Sequence, residues 1–142
     1  MRINKGIAIV LVALMLLFLT ACREQDDLSE DKTMMMRYLK YFDYPDILQI
    51  QQLDKYIASD AEVYYYIKWV YPEGGDLESY DHLIVYNRNT TLIDLAYFGD
   101  MESGLEPRAK EEWEKLKDKQ PDHTFTESEI ETLKQTAIKH NK

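Results

Sequence analysis

The chain has 142 residues, with 26 acids against 17 lysines and arginines, a formal net charge of −9 and a single cysteine. One thiol excludes an intramolecular disulfide and a cysteine zinc cluster. The excess of acid argues against nucleic acid, whose binding depends on Lys and Arg neutralising phosphates.

At the N-terminus, Arg2 and Lys5 supply a short positive segment, and Ile7 to Leu19 is an unbroken apolar run of thirteen residues. As a helix this run would span roughly 20 Å, short of the ~30 Å hydrocarbon core of a bilayer. It has the length of a secretory signal rather than of a permanent span. Leu19-Thr20-Ala21-Cys22 follows directly. These four residues resemble the lipobox of bacterial lipoproteins, an aliphatic residue, two small ones and a cysteine, and the resemblance covers residues 1 to 22 only.

The resemblance implies that diacylglycerol is attached to the thiol of Cys22, that a signal peptidase cuts between Ala21 and Cys22, and that Cys22 becomes the new N-terminus. It leaves open a further acyl chain on that terminus. The alternative is an ordinary buried thiol following an anchoring helix. The expected organisation is a cleaved signal peptide over 1–21, a lipidated N-terminus and short tether over 22–27, and an acidic globular domain over 28–142. Loss of 1–21 removes Arg2 and Lys5 and no acid, so the net charge moves from −9 to −11. The expected location is the extracytoplasmic face of a cell membrane, with the membrane reached through the lipid anchor.

Within the domain, Asp27 with Glu30 can cap a helix over roughly 28–42, and Met35, Tyr38, Leu39 and Phe42 recur on one side of it. The run Met34-Met35-Met36 reads as core filling ahead of a soft-metal ligand set, because consecutive residues point in different directions. Pro45 suits the first turn of a second helix carrying Ile47, Ile50, Leu53 and Ile57, although 53–58 could equally begin a strand.

From Glu62 the period becomes two. Val63, Tyr65, Ile67, Trp69 and Tyr71 share one face, and Tyr64, Tyr66 and Lys68 the other. Pro72-Glu73-Gly74-Gly75-Asp76 ends that strand. Leu83–Asn87 and Leu92–Phe98 then read as a hairpin around 88–91, and pairing Asn87 with Leu92 places His82, Ile84, Tyr86, Ile93, Leu95 and Tyr97 on one core face. After a loop over 99–104, Pro107 opens a helix with Ala109, Trp113 and Leu116 on one side. The last helix begins at a capping box, Thr126 with Glu129, with Phe125 and Ile130 as a hydrophobic staple. Ile130, Leu133, Ala137 and Ile138 form its inner stripe. The fold class that follows is α+β, one small domain with an antiparallel sheet of at least three strands covered by helices.

Catalytic patterns are sparse. His82 beside Asp81 could be an oriented base, but its place across from Tyr97 on the core face favours a structural role. His123 and His140 stand apart from it. No serine lies in a nucleophile-elbow context, and no metal motif such as H-E-x-x-H occurs. Glu73, Asp76, Glu78 and Asp81 lack the spacing of an EF-hand loop. No cofactor or metal is expected beyond the covalent lipid on Cys22. Tyrosine is abundant, with eleven in the chain. Tyr64 and Tyr66, on the strand face away from the core, are the candidate binding surface, since rigid aromatic rings are favoured at interfaces.

The leading expectation is a non-enzymatic interaction module at the cell surface, with a basic protein or peptide as partner. One alternative is an immunity or exclusion lipoprotein against a cationic toxin or phage component. Another is an enzyme with a site near His82.

Overall fold

The computed structural model of the chain describes residues 30–72, 79–97 and 107–142. Cys22, Ala21, the tether and the acidic residues Glu73, Asp76 and Glu78 lie outside the described residues. A helix over residues 30–39, α1, opens the described chain. Five strands follow or interleave with two more helices: β1 (Gln49–Ile57), β2 (Glu62–Val70), β3 (Ser79–Asn87), β4 (Ile93–Tyr97), α2 (Pro107–Leu116), β5 (His123–Thr124) and α3 (Glu127–Asn141). Among the described residues, no helix is long and apolar enough to cross a membrane.

The strands form one antiparallel sheet in the order β4-β3-β2-β1-β5. The α+β fold expected from the pattern is the fold found, with two strands more than the three read directly. The β3–β4 register runs from His82 opposite Tyr97 to Tyr86 opposite Ile93, with the Asn87 amide donating to the Leu92 carbonyl at 3.0 Å. That is the pairing expected from the alternation of apolar residues.

The second helix expected from Pro45 is instead strand β1, in keeping with the alternative of a strand over 53–58, and the reason the helical spacing misleads is local. Ile50 and Leu53 are three apart, a helical spacing, yet Ile50 pairs with Trp69 and Leu53 with Ile67 on one sheet face. This is possible because the register slips between Ile50 and Gln52, where a β-bulge inserts one residue and shifts the phase of the alternation. Two charged residues, Asp54 and Lys55, occupy the buried middle of the strand and further hide its period.

One sheet face carries Leu53, Val63, Tyr65, Ile67, Trp69, Ile84 and Tyr86, and is covered by Met34, Met35, Tyr38 and Leu39 of α1 and by Ile130, Leu133, Ala137 and Ile138 of α3. Met34 and Met35 are fully buried there, as core filling requires. The capping box of α3 is complete: the Glu129 amide donates to the Thr126 hydroxyl at 3.3 Å and the Thr126 amide donates to the Glu129 carboxylate at 2.7 Å. Phe125 and Ile130 both sit in this core, fixing how the chain enters the helix. The Phe125 amide donates to the Leu53 carbonyl at 3.0 Å, tying the start of α3 to β1.

The opposite face is covered by α2, whose Trp113 and Leu116 pack on Tyr56, Tyr64 and Leu83. This corrects the expectation that Tyr64 and Tyr66 form an exposed binding surface. Tyr64 is 1% exposed, and Tyr66 is half-buried against the same cluster. The amphipathic stripe of α2 needs an apolar partner, and the non-core faces of β1, β2 and β3 provide it.

Candidate functional site

His82 lies inside the main core, 2% exposed, among Tyr38, Phe42 and Trp69. Its Nδ1 is 2.8 Å from the Tyr38 hydroxyl and 3.4 Å from Nε1 of Trp69. An indole N–H can only donate, so Nδ1 is an acceptor and the ring proton belongs on Nε2. Burial pushes the imidazole pKa down to about 4, against a weaker opposing pull from the Asp81 carboxylate. At neutral pH this is an uncharged ring wedged between aromatic groups. Its surroundings are those of a packing residue rather than of a base poised near neutrality.

The other histidines are separate from it. His123, on β5, places Nε2 3.3 Å from the Glu129 carboxylate and packs edge-on against Phe125. His140 is exposed near the end of α3. No group of three or more metal-ligating side chains is gathered among the described residues.

The polar groups that do converge lie on the α2 side of the sheet. Strand alternation puts Gln52 and Asp54 of β1, Tyr66 and Lys68 of β2, and Asp81 of β3 on this face, with Asp54 directly opposite Tyr66 and Lys68 opposite Asp81. The Tyr66 hydroxyl donates to the Asp81 carboxylate at 2.7 Å. Its ring stacks on Trp113, with centroids 6.1 Å apart and planes 8° from parallel. Tyr56 meets the same indole edge-on at 5.5 Å. Trp113 thus packs against two tyrosines, and Tyr66 is bonded to the Asp81 carboxylate with Asp54 opposite it on β1.

Asp54 is 5% exposed. Its Oδ2 accepts a hydrogen bond of 2.6 Å from the Gln52 amide, and its Oδ1 is buried with no hydrogen-bond partner among the described residues. Buried carboxylate oxygens are nearly always satisfied, so this is an acceptor with unused capacity. The negative charge is felt by the phenols. Burial first, then the hydrogen bond and charge of Asp81 and the charge of Asp54, push the Tyr66 hydroxyl well above its ordinary value. Tyr56 is raised by burial and by Asp54, and Tyr64 is raised to about 12, mainly by burial. All three remain neutral phenols at physiological pH.

Tyr66 is the one residue shared by this strip and the surface expected from sequence, in a different role: a half-buried phenol bonded to Asp81 and stacked on Trp113 rather than an exposed anchor. Asp54 and Gln52 were missed because β1 reads as a helix. Once that segment is taken as a strand, the alternation places both beside Tyr66. The chain matches no protein-family model, no curated protein and no solved structure.

Proposed function

We propose that this chain is a bacterial lipoprotein, held on the extracytoplasmic side of a cell membrane through diacylglycerol on Cys22 after cleavage at Ala21. Its domain is a non-enzymatic binding module whose Asp54–Tyr66–Asp81 strip receives a basic protein or peptide. The address rests on the positive start, the thirteen-residue apolar run and the lipobox in register. Two acyl chains on one cysteine are enough for stable attachment.

The binding reading is carried by one observation: a buried carboxylate oxygen of Asp54 with no donor among the described residues, two strands away from a second carboxylate, that of Asp81, to which the Tyr66 hydroxyl is bonded. An arginine or lysine entering beside exposed Gln52 would supply the missing donor, and charge-assisted bonds of this kind are the stronger class. The acidity of the whole chain favours encounter with a basic partner. Lys68 tempers the strip from the position opposite Asp81. The environment of His82, buried and uncharged, supports the non-enzymatic reading.

The address is tested by Cys22→Ser, which should abolish incorporation of labelled fatty acid and release the chain from membranes. Retained labelling would sink it. For the strip, the full chain in neutral detergent is titrated with an arginine-rich peptide at two salt concentrations. Asp81→Asn should weaken binding, Lys68→Gln should strengthen it, and both effects should shrink at high salt. Binding indifferent to both substitutions would remove the strip as the site.

A further inference from the structure

A second cluster lies on the other side of the sheet, where α1 meets the β3–β4 hairpin. Arg37, Lys40 and Tyr41 face Leu92 and Ile93 across an open cleft of about 210 Å³. Arg37, on α1, and Lys40, in the turn that follows it, line the same cleft, so their charges are neighbours. Among the described residues neither forms an ion pair, in a chain where acids outnumber bases 26 to 17. Like charges at this spacing repel modestly, and an anion placed between them removes the repulsion.

The guanidinium is positioned rather than loose. Its Nη2 donates to the Thr91 hydroxyl at 3.1 Å, and its Nε is buried with no hydrogen-bond partner among the described residues. Thr91 holds this contact at a backbone φ of 56°, a left-handed conformation uncommon for a β-branched residue. The hairpin fixes it there: the Thr91 amide donates to the Asn87 carbonyl at 2.8 Å, and the Asn89 and Thr90 amides donate to the Asn87 side chain. Glycine would adopt that φ without cost but has no hydroxyl to hold Arg37.

The remaining walls are apolar. Leu92 is 55% exposed and Tyr41 is 61% exposed, both on the rim of the cleft. An oxyanion bound between the two cations would therefore have its substituent beside a leucine and a phenol ring. Two adjacent cations match a dianion, and arginine with lysine is a pairing suited to phosphate: a planar fork and a compact point charge. The volume suits a phosphoryl group with one ring or a short apolar stub. The acidic net charge does not forbid it, because screening at physiological salt confines charge effects to about 8 Å.

We propose that the cleft formed by Arg37, Lys40, Tyr41, Leu92 and Ile93 binds a phosphomonoester dianion bearing an apolar substituent. The phosphate can belong to a soluble ester or to a lipid headgroup, and two probes separate these sources. The full chain in neutral detergent is titrated by NMR with phenyl phosphate, and separately with a short-chain phosphatidic acid; phenol is the control. Saturable shifts at the Thr91 and Lys40 amides are expected with one or both phosphates and not with phenol. Response to phenyl phosphate assigns a soluble ester, and response to phosphatidic acid alone assigns a lipid headgroup. Lys40→Gln, a change at an exposed position, should weaken binding at least tenfold without altering the melting temperature. Binding should also weaken from pH 8 to pH 5, as the ligand's second ionisation near pH 6 is reversed. No saturable response to either phosphate, an equal response to phenol, or unchanged affinity in Lys40→Gln would overturn the proposal.

Discussion

Acid should destabilise this domain through His82 over a defined window. The ring is neutral in the fold, with a pKa pushed from 6.5 to about 4 by burial, and it regains its ordinary value when the chain unfolds. Between those two values the unfolded chain binds the proton and the folded one does not, so stability falls as pH falls from about 6.5 to about 4. A displacement of about 2.5 in pKa, at 1.36 kcal/mol each, corresponds to roughly 3 kcal/mol, of which about 2.5 kcal/mol is lost by pH 4.5. The structural cause is specific. Protonation would turn Nδ1 from an acceptor into a donor facing the Trp69 N–H, which is itself a donor.

The assay is urea unfolding of the full chain in neutral detergent at pH 7.5, 6.5, 5.5 and 4.5, followed by the fluorescence of its two tryptophans, of which Trp69 packs against the ring. His82→Gln keeps an acceptor for Tyr38 and Trp69 but cannot titrate. The wild-type chain should lose about 2.5 kcal/mol more than this variant between pH 7.5 and pH 4.5. The depressed carboxyl of Glu129 acts mainly below this range and is common to both proteins. Parallel stability profiles, or a His82 ring that titrates near pH 6.5 in the folded protein, would refute the reasoning.

Three further outcomes are expected. Tyr64→Ala should destabilise by about 3 kcal/mol by opening a cavity beneath Trp113 and Leu116, measured by denaturant unfolding, whereas an exposed anchor would leave stability unchanged. Thr126→Ala should cost about 1 kcal/mol by removing the hydroxyl that accepts from the Glu129 amide, a loss that Thr126→Ser should largely avoid. At alkaline pH the raised phenols of Tyr64 and Tyr66 stay protonated in the fold while unfolded tyrosines ionise near pH 10, so stability should fall above pH 10; absorbance at 295 nm should show two or more tyrosines titrating only on unfolding.

The parts of this fold that were legible in the sequence are those where one period runs uninterrupted. Strand β2 alternates cleanly from Glu62 to Val70, and the β3–β4 pairing follows from matching two alternating runs across one turn. The start of α3 was legible because a capping box is a local chemical signature needing no partner. Strand β1 was legible only as the alternative over 53–58, because its bulge at Ile50–Gln52 converts a two-residue period into a three-residue step and because Asp54 and Lys55 are charged residues in buried positions. Lys55 manages its burial partly by lying over the Tyr65 ring, with Nζ 5.7 Å from the centroid, a contact visible only in three dimensions. Strand β5 is two residues long, too short to carry any pattern. The candidate strip was hidden for a related reason: which sheet face α2 covers decides whether Tyr64 and Tyr66 meet solvent, and the helix's own sequence does not specify its partner.

The strand order has a consequence for how the chain reaches its native state. β1 to β4 are neighbours in sequence and in space, so each can join the growing sheet across a short connection as soon as it is available. β5 differs, pairing Thr124 with Asp54 across seventy residues and bringing α3 with it. Until that long closure occurs, β1 is an open edge, and the main core face lacks Phe125, Ile130, Leu133, Ala137 and Ile138. A four-stranded ribbon with a bare apolar side and an unprotected border is the kind of species that associates with its own copies. The last twenty-one residues therefore act as the chain's own escort out of aggregation, and a version of the protein cut before Asp122 should be recovered as oligomers rather than as a smaller folded monomer.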